Sequence, residues 1–316
     1  MKTTILSLFF VATASIAAPN QVPEVWAYLM KGEENHIPAR SPITDVACFS
    51  AKVDGDGNLE GGHLRPPALP GAKPGTRYHL VVTIPWNTTL AHIFLDPELP
   101  FRNHIIADIV ERSNPFDGIQ IDFESIAKDD GTAYLNFLAA VNKALPEGKL
   151  FSVAVMARWA EHKQKNPSDA FDYPFIGMIA DRVIVMAYDE HYRGGGPGPI
   201  ASLPWCEKIY SYALATIDPD KLVMGIPLYG RGWQTTSLAR AYKNSEVVDE
   251  LTTKGIKSTW HPETGGTYSF SETVNITVHY ETLQSLKAKL DLYTQRPIRG
   301  VAYWRISQGP EGFWEQ

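Results

Sequence analysis

Two carboxylates two residues apart, Asp122 and Glu124, end the run Phe116-Asp117-Gly118-Ile119-Gln120-Ile121-Asp122-Phe123-Glu124-Ser125. Side chains in an extended strand alternate at period 2, so Ile119, Ile121 and Phe123 share one apolar face suited to packing under helices. Gly118, Gln120, Asp122 and Glu124 share the other. Turning two acids into a protein interior costs too much for idle packing, so chemistry is expected here. Their Cα atoms should lie about 7 Å apart, close enough to share a proton or shift each other's pKa. Asp117 has the wrong parity to join them and reads as a strand-entry turn residue.

The elements that must hold this pair recur along the chain. Short β-branched and aromatic runs fall at Val25–Met30, Asp45–Ala51, Tyr78–Ile84, Gly118–Phe123, Phe151–Met156, Val183–Tyr188, Leu222–Leu228 and Gly300–Trp304. Amphipathic stretches lie between many of them. In Thr132–Ala144, Tyr134, Phe137, Leu138 and Val141 recur at helical spacing, and Pro204–Thr216 and Tyr280–Tyr293 read similarly. Strand–helix alternation predicts an α/β parallel sheet, and eight strands predict its closure into a (β/α)8 TIM barrel. Chemistry on such a barrel sits at the C-terminal ends of the strands, where Asp122 and Glu124 fall. From Thr235 to about Thr282 there are more residues than one helix needs. Thr267–Phe270 and Val274–Tyr280 alternate like an antiparallel pair, which predicts a small α+β insertion between strands 7 and 8. The expected organisation is a leader over 1–18, barrel strands 1–7 over 19–234, the insertion over 235–282 and the end of the barrel over 283–316.

The 316 residues, 44% hydrophobic, suffice for one large core. Lys and Arg number 29 against 35 Asp and Glu, a net −6, which argues against nucleic acid or an anionic membrane surface as partner. Residues 1–18 carry one Lys, the apolar run Ile5–Val11 and small residues through Ala18. That is the layout of a secretory signal peptide cleaved after Ala17 or Ala18, and the run falls short of the about 20 residues a membrane helix needs. A secreted or periplasmic monomer is expected. Cys48 and Cys206, the two cysteines, map to distant parts of a barrel and are not expected to pair. None of the nine His stands at metal-ligand spacing, and no metal or cofactor is implied. Asn87-Thr88-Thr89 and Asn275-Ile276-Thr277 are glycosylation sequons, meaningful only in a eukaryotic secretory pathway.

The run Asp117–Glu124 resembles the signature of glycoside hydrolase family 18, Asp-Gly-x-Asp-x-Asp-x-Glu. Met186-Ala187-Tyr188-Asp189 resembles the family's Met-x-Tyr-Asp at the sixth strand. Gly225-Ile226-Pro227-Leu228-Tyr229-Gly230-Arg231-Gly232-Trp233 resembles its seventh, and Gly300-Val301-Ala302-Tyr303-Trp304-Arg305 its last. Any one of the four is weak; together, in order, they are a strong signal. The resemblance implies retaining, substrate-assisted hydrolysis of a glycan containing N-acetylglucosamine, an exception to the two-carboxylate schemes. It makes Glu124 the proton donor, with the substrate's acetamido oxygen as nucleophile. Asp122 would hold the acetamide N–H, Tyr188 would bond its carbonyl, Asp189 would contact the sugar, and Trp304 would floor the site. Met186 belongs to the same constellation.

Two departures stand out. Gln120 replaces the middle Asp of the signature; an amide can only hydrogen-bond, which would leave Asp122 ionised and directed toward substrate throughout. The third strand ends Thr83-Ile84-Pro85-Trp86-Asn87 and lacks the Ser-x-Gly-Gly common in chitinases. Among the eight Trp, Trp86, Trp159 and Trp233 follow expected strands and are candidates for the cleft, while Trp26, Trp205, Trp260 and Trp314 read as packing or surface. Tyr28 and Tyr229 are candidates for the barrel lining, and Arg231 for either sugar hydroxyls or a barrel carboxylate. The stretches 188–205 and 300–305 look most like spore-cortex and wall-lytic members, which points to peptidoglycan, with chitin oligosaccharides as the alternative substrate. A sugar-binding lectin on the same barrel is the alternative of a different class, since fold does not fix function; retention of Glu124 argues for the enzyme.

Overall fold

The structure is a computed structural model that describes residues 22–37, 41–160, 170–234, 237–271 and 275–315. The expected leader lies outside the described residues. Nine strands form the main sheet: β1 (Glu24–Met30), β2 (Asp45–Val53), β3 (Leu59–Gly61), β4 (Arg77–Thr83), β5 (Gly118–Asp122), β6 (Leu150–Met156), β7 (Arg182–Met186), β8 (Leu222–Pro227) and, last in the chain, Gly300–Trp304. Apart from β3, which folds back antiparallel on β2, these eight pair in parallel and close where β1 meets β2. The expected TIM barrel is present, each strand within one or two residues of its expected bounds.

A second sheet comprises β9 (Gly230–Gln234), β10 (Ser237–Tyr242), β11 (Thr259–His261), β12 (Gly265–Ser271) and β13 (Asn275–Tyr280), with Gly300–Trp304 then counting as β14. Its strands are antiparallel, β12 and β13 pairing from Gly266–Tyr280 to Ser271–Asn275. It starts at Gly230 rather than at Thr235, because the chain leaves β8 through Leu228-Tyr229 directly into a pairing with β10 and β13.

Seven helices are described: α1 (Thr88–Leu95), α2 (Pro100–Ser113), α3 (Gly131–Ala144), α4 (Tyr173–Ile179), α5 (Leu203–Thr216), α6 (Asn244–Lys254) in the second sheet's segment, and α7 (Leu283–Tyr293). Several start where the sequence supplies a cap. Asn87 of the first sequon caps α1, its side chain accepting from Thr89 and Leu90 N–H. Thr282 caps α7 the same way at Ser285, so that helix begins at Leu283 and Tyr280 belongs to β13. The face of α3 carrying Tyr134, Phe137, Leu138 and Val141 is buried, with Tyr134 and Phe137 stacked on Phe123. This locks the apolar face of β5 outward and therefore turns Gln120 and Asp122 inward.

The barrel lumen is filled rather than open. Trp26, Tyr28, Ala47, Val81, Ile184, Val223 and Ala302 form a buried plug along its axis. Below it, at the N-terminal ends of the strands, Glu24 and Asp45 meet Arg77, Arg182 and Arg299. Cys48, on β2, and Cys206, on α5, are both buried and unpaired.

Candidate active site

At the C-terminal ends of the strands a pocket opens above the plug, lined by Phe49, Asp122, Glu124, Met186, Tyr188, Asp189, Tyr229, Arg231, Ala241, Trp304 and Gln308. Eight of the thirteen sequence candidates are in its wall. Trp304 ends β14 and lies tilted on Tyr28, with centroids 5.1 Å apart, and edge-on to Phe49 at 4.5 Å. These rings make the aromatic floor.

Tyr28 and Gln120 sit one layer deeper, both buried. The Tyr28 hydroxyl donates to Gln120 Oε1 at 2.6 Å, and the Gln120 amide reaches Ser152 Oγ at 3.4 Å. Gln120 is thus engaged from two sides and makes no bond to Asp122. Asp122 is 5% exposed, and its Oδ1 has no hydrogen-bond partner among the described residues. Burial, and then the charge of Glu124, pushes its carboxyl well above the ordinary value of 3.8. Burial thus opposes the ionised form that the sequence reading expected of Asp122. Glu124, half-buried at the mouth, is also raised, by burial and by the charge of Asp189. Two adjacent carboxyls that both resist ionisation suit proton transfer near neutral pH.

Tyr188 follows β7, and its ring crowds the backbone of β8: a Cβ at position 225 would stand 2.8 Å from Tyr188 Cε1 and 2.7 Å from Val185 O. Gly225 is what lets the ring lie there. Burial, then Tyr28 and Asp122, keeps the Tyr188 hydroxyl protonated, a donor aimed into a pocket with acids. Asp189 has φ +62°, a left-handed conformation that costs a residue with a Cβ about 1 kcal/mol or more. It is held there from the second sheet's side: Oδ1 accepts from Tyr229 Oη and from Arg231 Nη2, both at 2.5 Å. Of the two partners open to Arg231, the structure supplies the carboxylate.

Trp86 is 77% exposed and outside the pocket wall. Asn87 N–H donates to Pro85 O at 2.6 Å, a tight turn that throws the Trp86 ring into solvent as α1 begins. Trp233 is buried, its indole N–H donating to Gly195 O at 3.1 Å, whereas Trp159 is exposed. Asp117 accepts the Tyr78 N–H at 2.7 Å, a cross-strand bond to β4 at the entry of β5, and is outside the pocket wall. Phe49, Ala241 and Gln308 had not been expected. Phe49 shares period-2 parity with Asp45 and Ala47, which are buried in the lumen, and that signal was readable. Gln308 comes from a turn after β14 and Ala241 from the second sheet, where no local pattern announces a pocket. Among the described residues no cluster of three His, Cys, Asp or Glu could hold a metal.

A parallel barrel with its acids at the strand ends defines a class, and comparison with known proteins places the chain within it. Residues 101–309 match the model of glycosyl hydrolases family 18. YvbX of Bacillus subtilis, described as an uncharacterized glycosylase, is 32% identical over 212 residues, 65% of this chain and 61% of its own length. The cortical fragment-lytic enzyme of Bacillus anthracis is 27% identical over 224 residues, 65% of this chain and 50% of its own. The crystal structure of the Bacillus cereus spore cortex-lytic enzyme SleL superposes with a TM-score of 0.79 at 25% identity, over 92% of this chain and 72% of that one. The chain spans roughly half to three fifths of the length of these two curated relatives. It belongs to glycosyl hydrolase family 18.

Proposed function

We propose that the protein is an exported, monomeric hydrolase that cleaves β-linked N-acetylglucosaminyl bonds with retention, acting on peptidoglycan glycan. One observation carries the reading: Glu124 stands at the pocket mouth beside Asp122, an acid with an unpartnered oxygen, over the Trp304 floor. Glu124 donates its proton to the glycosidic oxygen, which leaves with the electron pair of its bond to C1. The substrate's acetamido carbonyl oxygen forms the new bond to C1, giving an oxazolinium ion. Asp122 accepts the acetamide N–H on the oxygen that otherwise lacks a partner, which orients the acetamide and favours the positive charge that develops on it. Tyr188 donates to the carbonyl oxygen. Glu124, now a carboxylate, takes a proton from the water whose oxygen adds to C1 on the face the aglycone left, while the bond from C1 to the acetamido oxygen breaks and the acetamide is restored.

Export rests on the leader-like first 18 residues. The wall-glycan substrate rests on similarity to a cortical fragment-lytic enzyme and a spore cortex-lytic enzyme. No helix among the described residues is long and apolar enough to cross a membrane. NMR of the first-formed anomer tests the mechanism: an inverted product, or equal activity on substrates with a plain 2-hydroxyl, overturns it. Comparison of kcat/KM on muropeptide glycan strands and chitin oligomers of equal length tests the substrate, and a clear preference for chitin would reassign it.

A further inference from the structure

The turn that follows β14 gives the pocket a side chain to which the mechanism assigns no role. Ile306, Ser307 and Gln308 form a 3-10 turn entered from Arg305, and Gln308 N–H donates to Arg305 O at 3.0 Å. The neighbours of Gln308 are engaged in holding this turn. Arg305 Nη2 pairs with Glu33 Oε1 at 3.1 Å, and Ser307 Oγ donates to the same oxygen. Glu33 Oε2 in turn accepts the Met30 N–H at 3.3 Å, so the turn is tied to the end of β1. Ile306 is buried in the main core. Gly309, the next residue, lies against the chain leaving β8: a Cβ there would stand 3.3 Å from Leu228 Cδ1.

Gln308 itself is left over. It is 9% exposed and lines the pocket wall with Trp304, four residues earlier in the chain. Its Oε1 is buried and has no hydrogen-bond partner among the described residues. An amide oxygen withdrawn from water without a donor raises the free energy of the fold. A donor brought by a ligand removes that cost, and because the turn is already fixed, little ordering entropy opposes the gain. Asp122, in the same wall, is in the same condition, with Oδ1 buried and unpartnered. The mechanism gives Asp122 the acetamide N–H. An N-acetylglucosamine unit that presents its N–H there has only hydroxyl groups left to donate, and a neutral carboxamide oxygen is a suitable acceptor for one of them.

We infer that Gln308 is a substrate-binding residue whose carboxamide oxygen accepts a hydrogen bond from a sugar hydroxyl in the pocket. The inference rests on the hydrolase reading of that pocket and adds to it a contact that depends on the sugar's hydroxyl pattern.

The test uses the full chain carrying Glu124→Gln, which prevents turnover, and calorimetric titration with N-acetylglucosamine oligomers. Adding Gln308→Met keeps the length of the side chain and removes the acceptor, and it should weaken binding about tenfold, or ~1.4 kcal/mol. Tm of the free protein should not fall, because there the oxygen has no bond to lose. Oligomers in which each hydroxyl in turn is replaced by hydrogen then locate the contact. One deoxy analogue should bind equally with and without Gln308→Met, while the others keep the tenfold difference. Unchanged affinity in the Gln308→Met protein overturns the assignment and leaves the hydrolase reading in place. A fall in Tm of several degrees does the same, since the amide would then serve the fold, and so does a tenfold difference kept by every deoxy analogue. If the Glu124→Gln protein binds none of the oligomers, the reading of the pocket falls, and the role of Gln308 with it.

Discussion

The two ends of one barrel lumen carry acids under opposite rules. At the bottom, Glu24 receives Arg182 through two parallel bonds of 2.8 and 2.7 Å, Arg77 at 2.8 Å, Arg299 at 2.9 Å and the Trp26 indole at 3.0 Å. Asp45 beside it takes Arg77 and His79, each at 2.8 Å, and His79 stacks on Trp26 at 4.3 Å. Burial alone would push Glu24 up, but these donors outweigh it and hold its carboxyl far below the ordinary 4.5. At the top, Asp122 is buried and Glu124 half-buried, and no ion pair to either is found among the described residues; the pocket's guanidinium, Arg231, is engaged by Asp189. Both top carboxyls are raised. Removal from water thus gives structural anions where arginines converge and proton carriers where they are withheld. The bottom spends its charges on the fold, and the top keeps its acids available for chemistry.

The sharpest break of this contrast is Glu124→Gln. The amide keeps volume and hydrogen-bonding capacity but has no proton to give, so kcat should fall at least about 100-fold with a much smaller change in substrate binding. Thermal stability should be little changed, because no partner of Glu124 loses a bond that Gln cannot make. Turnover near that of the parent would show that the top end does not work by this acid.

Glu24→Gln asks the reverse. It leaves three guanidiniums facing a neutral amide, and a buried pair broken from one side costs about 3–5 kcal/mol. Arg77 and Arg299 are each about a third exposed, so solvent screens part of this and about 2 kcal/mol is expected. The sign with pH follows from the lowered pKa. The folded state holds the carboxylate where the unfolded chain would protonate it, so the stabilisation is complete above the ordinary 4.5 and is lost as pH falls below it. Urea unfolding of parent and variant should differ most at pH 7 and progressively less toward pH 3, while kcat of the folded variant stays within about twofold. An equal gap at both pH values would mean that packing, not charge, explains the loss.

Much of the top end was legible in the sequence because its logic is local. Period-2 alternation in Ile119–Glu124 sorted apolar from polar residues onto two faces, and α3 enforces that sorting through Phe123. The barrel was legible for the same reason, eight short β-branched runs separated by turns and helices. The bottom end was not. Glu24, Arg77, Arg182 and Arg299 come from four regions up to 275 residues apart, and each alone is an ordinary charge at a strand boundary. The grip of Arg231 on Asp189 joins the second sheet to the β7 loop and likewise has no local signature. Trp86 misled because a Trp after a barrel strand suggests a wall, and only the Pro85–Asn87 turn sends it outward.

The smallest effect is the most discriminating, because it predicts a stability gain from damaging the site. Asp122 has a buried Oδ1 without a partner, and its raised pKa means that the folded chain keeps a proton the unfolded chain gives up. Stability is therefore lost as pH rises from the ordinary 3.8 toward the folded value, and the cost persists above it. Asp122→Asn removes that cost, since an amide of the same shape carries no charge to desolvate. The gain at pH 8 should be about 1 kcal/mol, or about 2 °C in Tm for a chain of this size, shrinking toward nothing near pH 4. This trend is the mirror image of Glu24→Gln, whose cost also grows with pH but with opposite sign for the fold. Activity should fall together with the gain, because the amide can no longer accept the acetamide N–H as a carboxylate. Differential scanning calorimetry of parent and variant from pH 4 to pH 8 measures both sign and slope. Were Asp122→Asn to lower Tm at pH 8, the carboxyl would be a paired structural anion like Glu24, and the division of labour between the two ends would not hold.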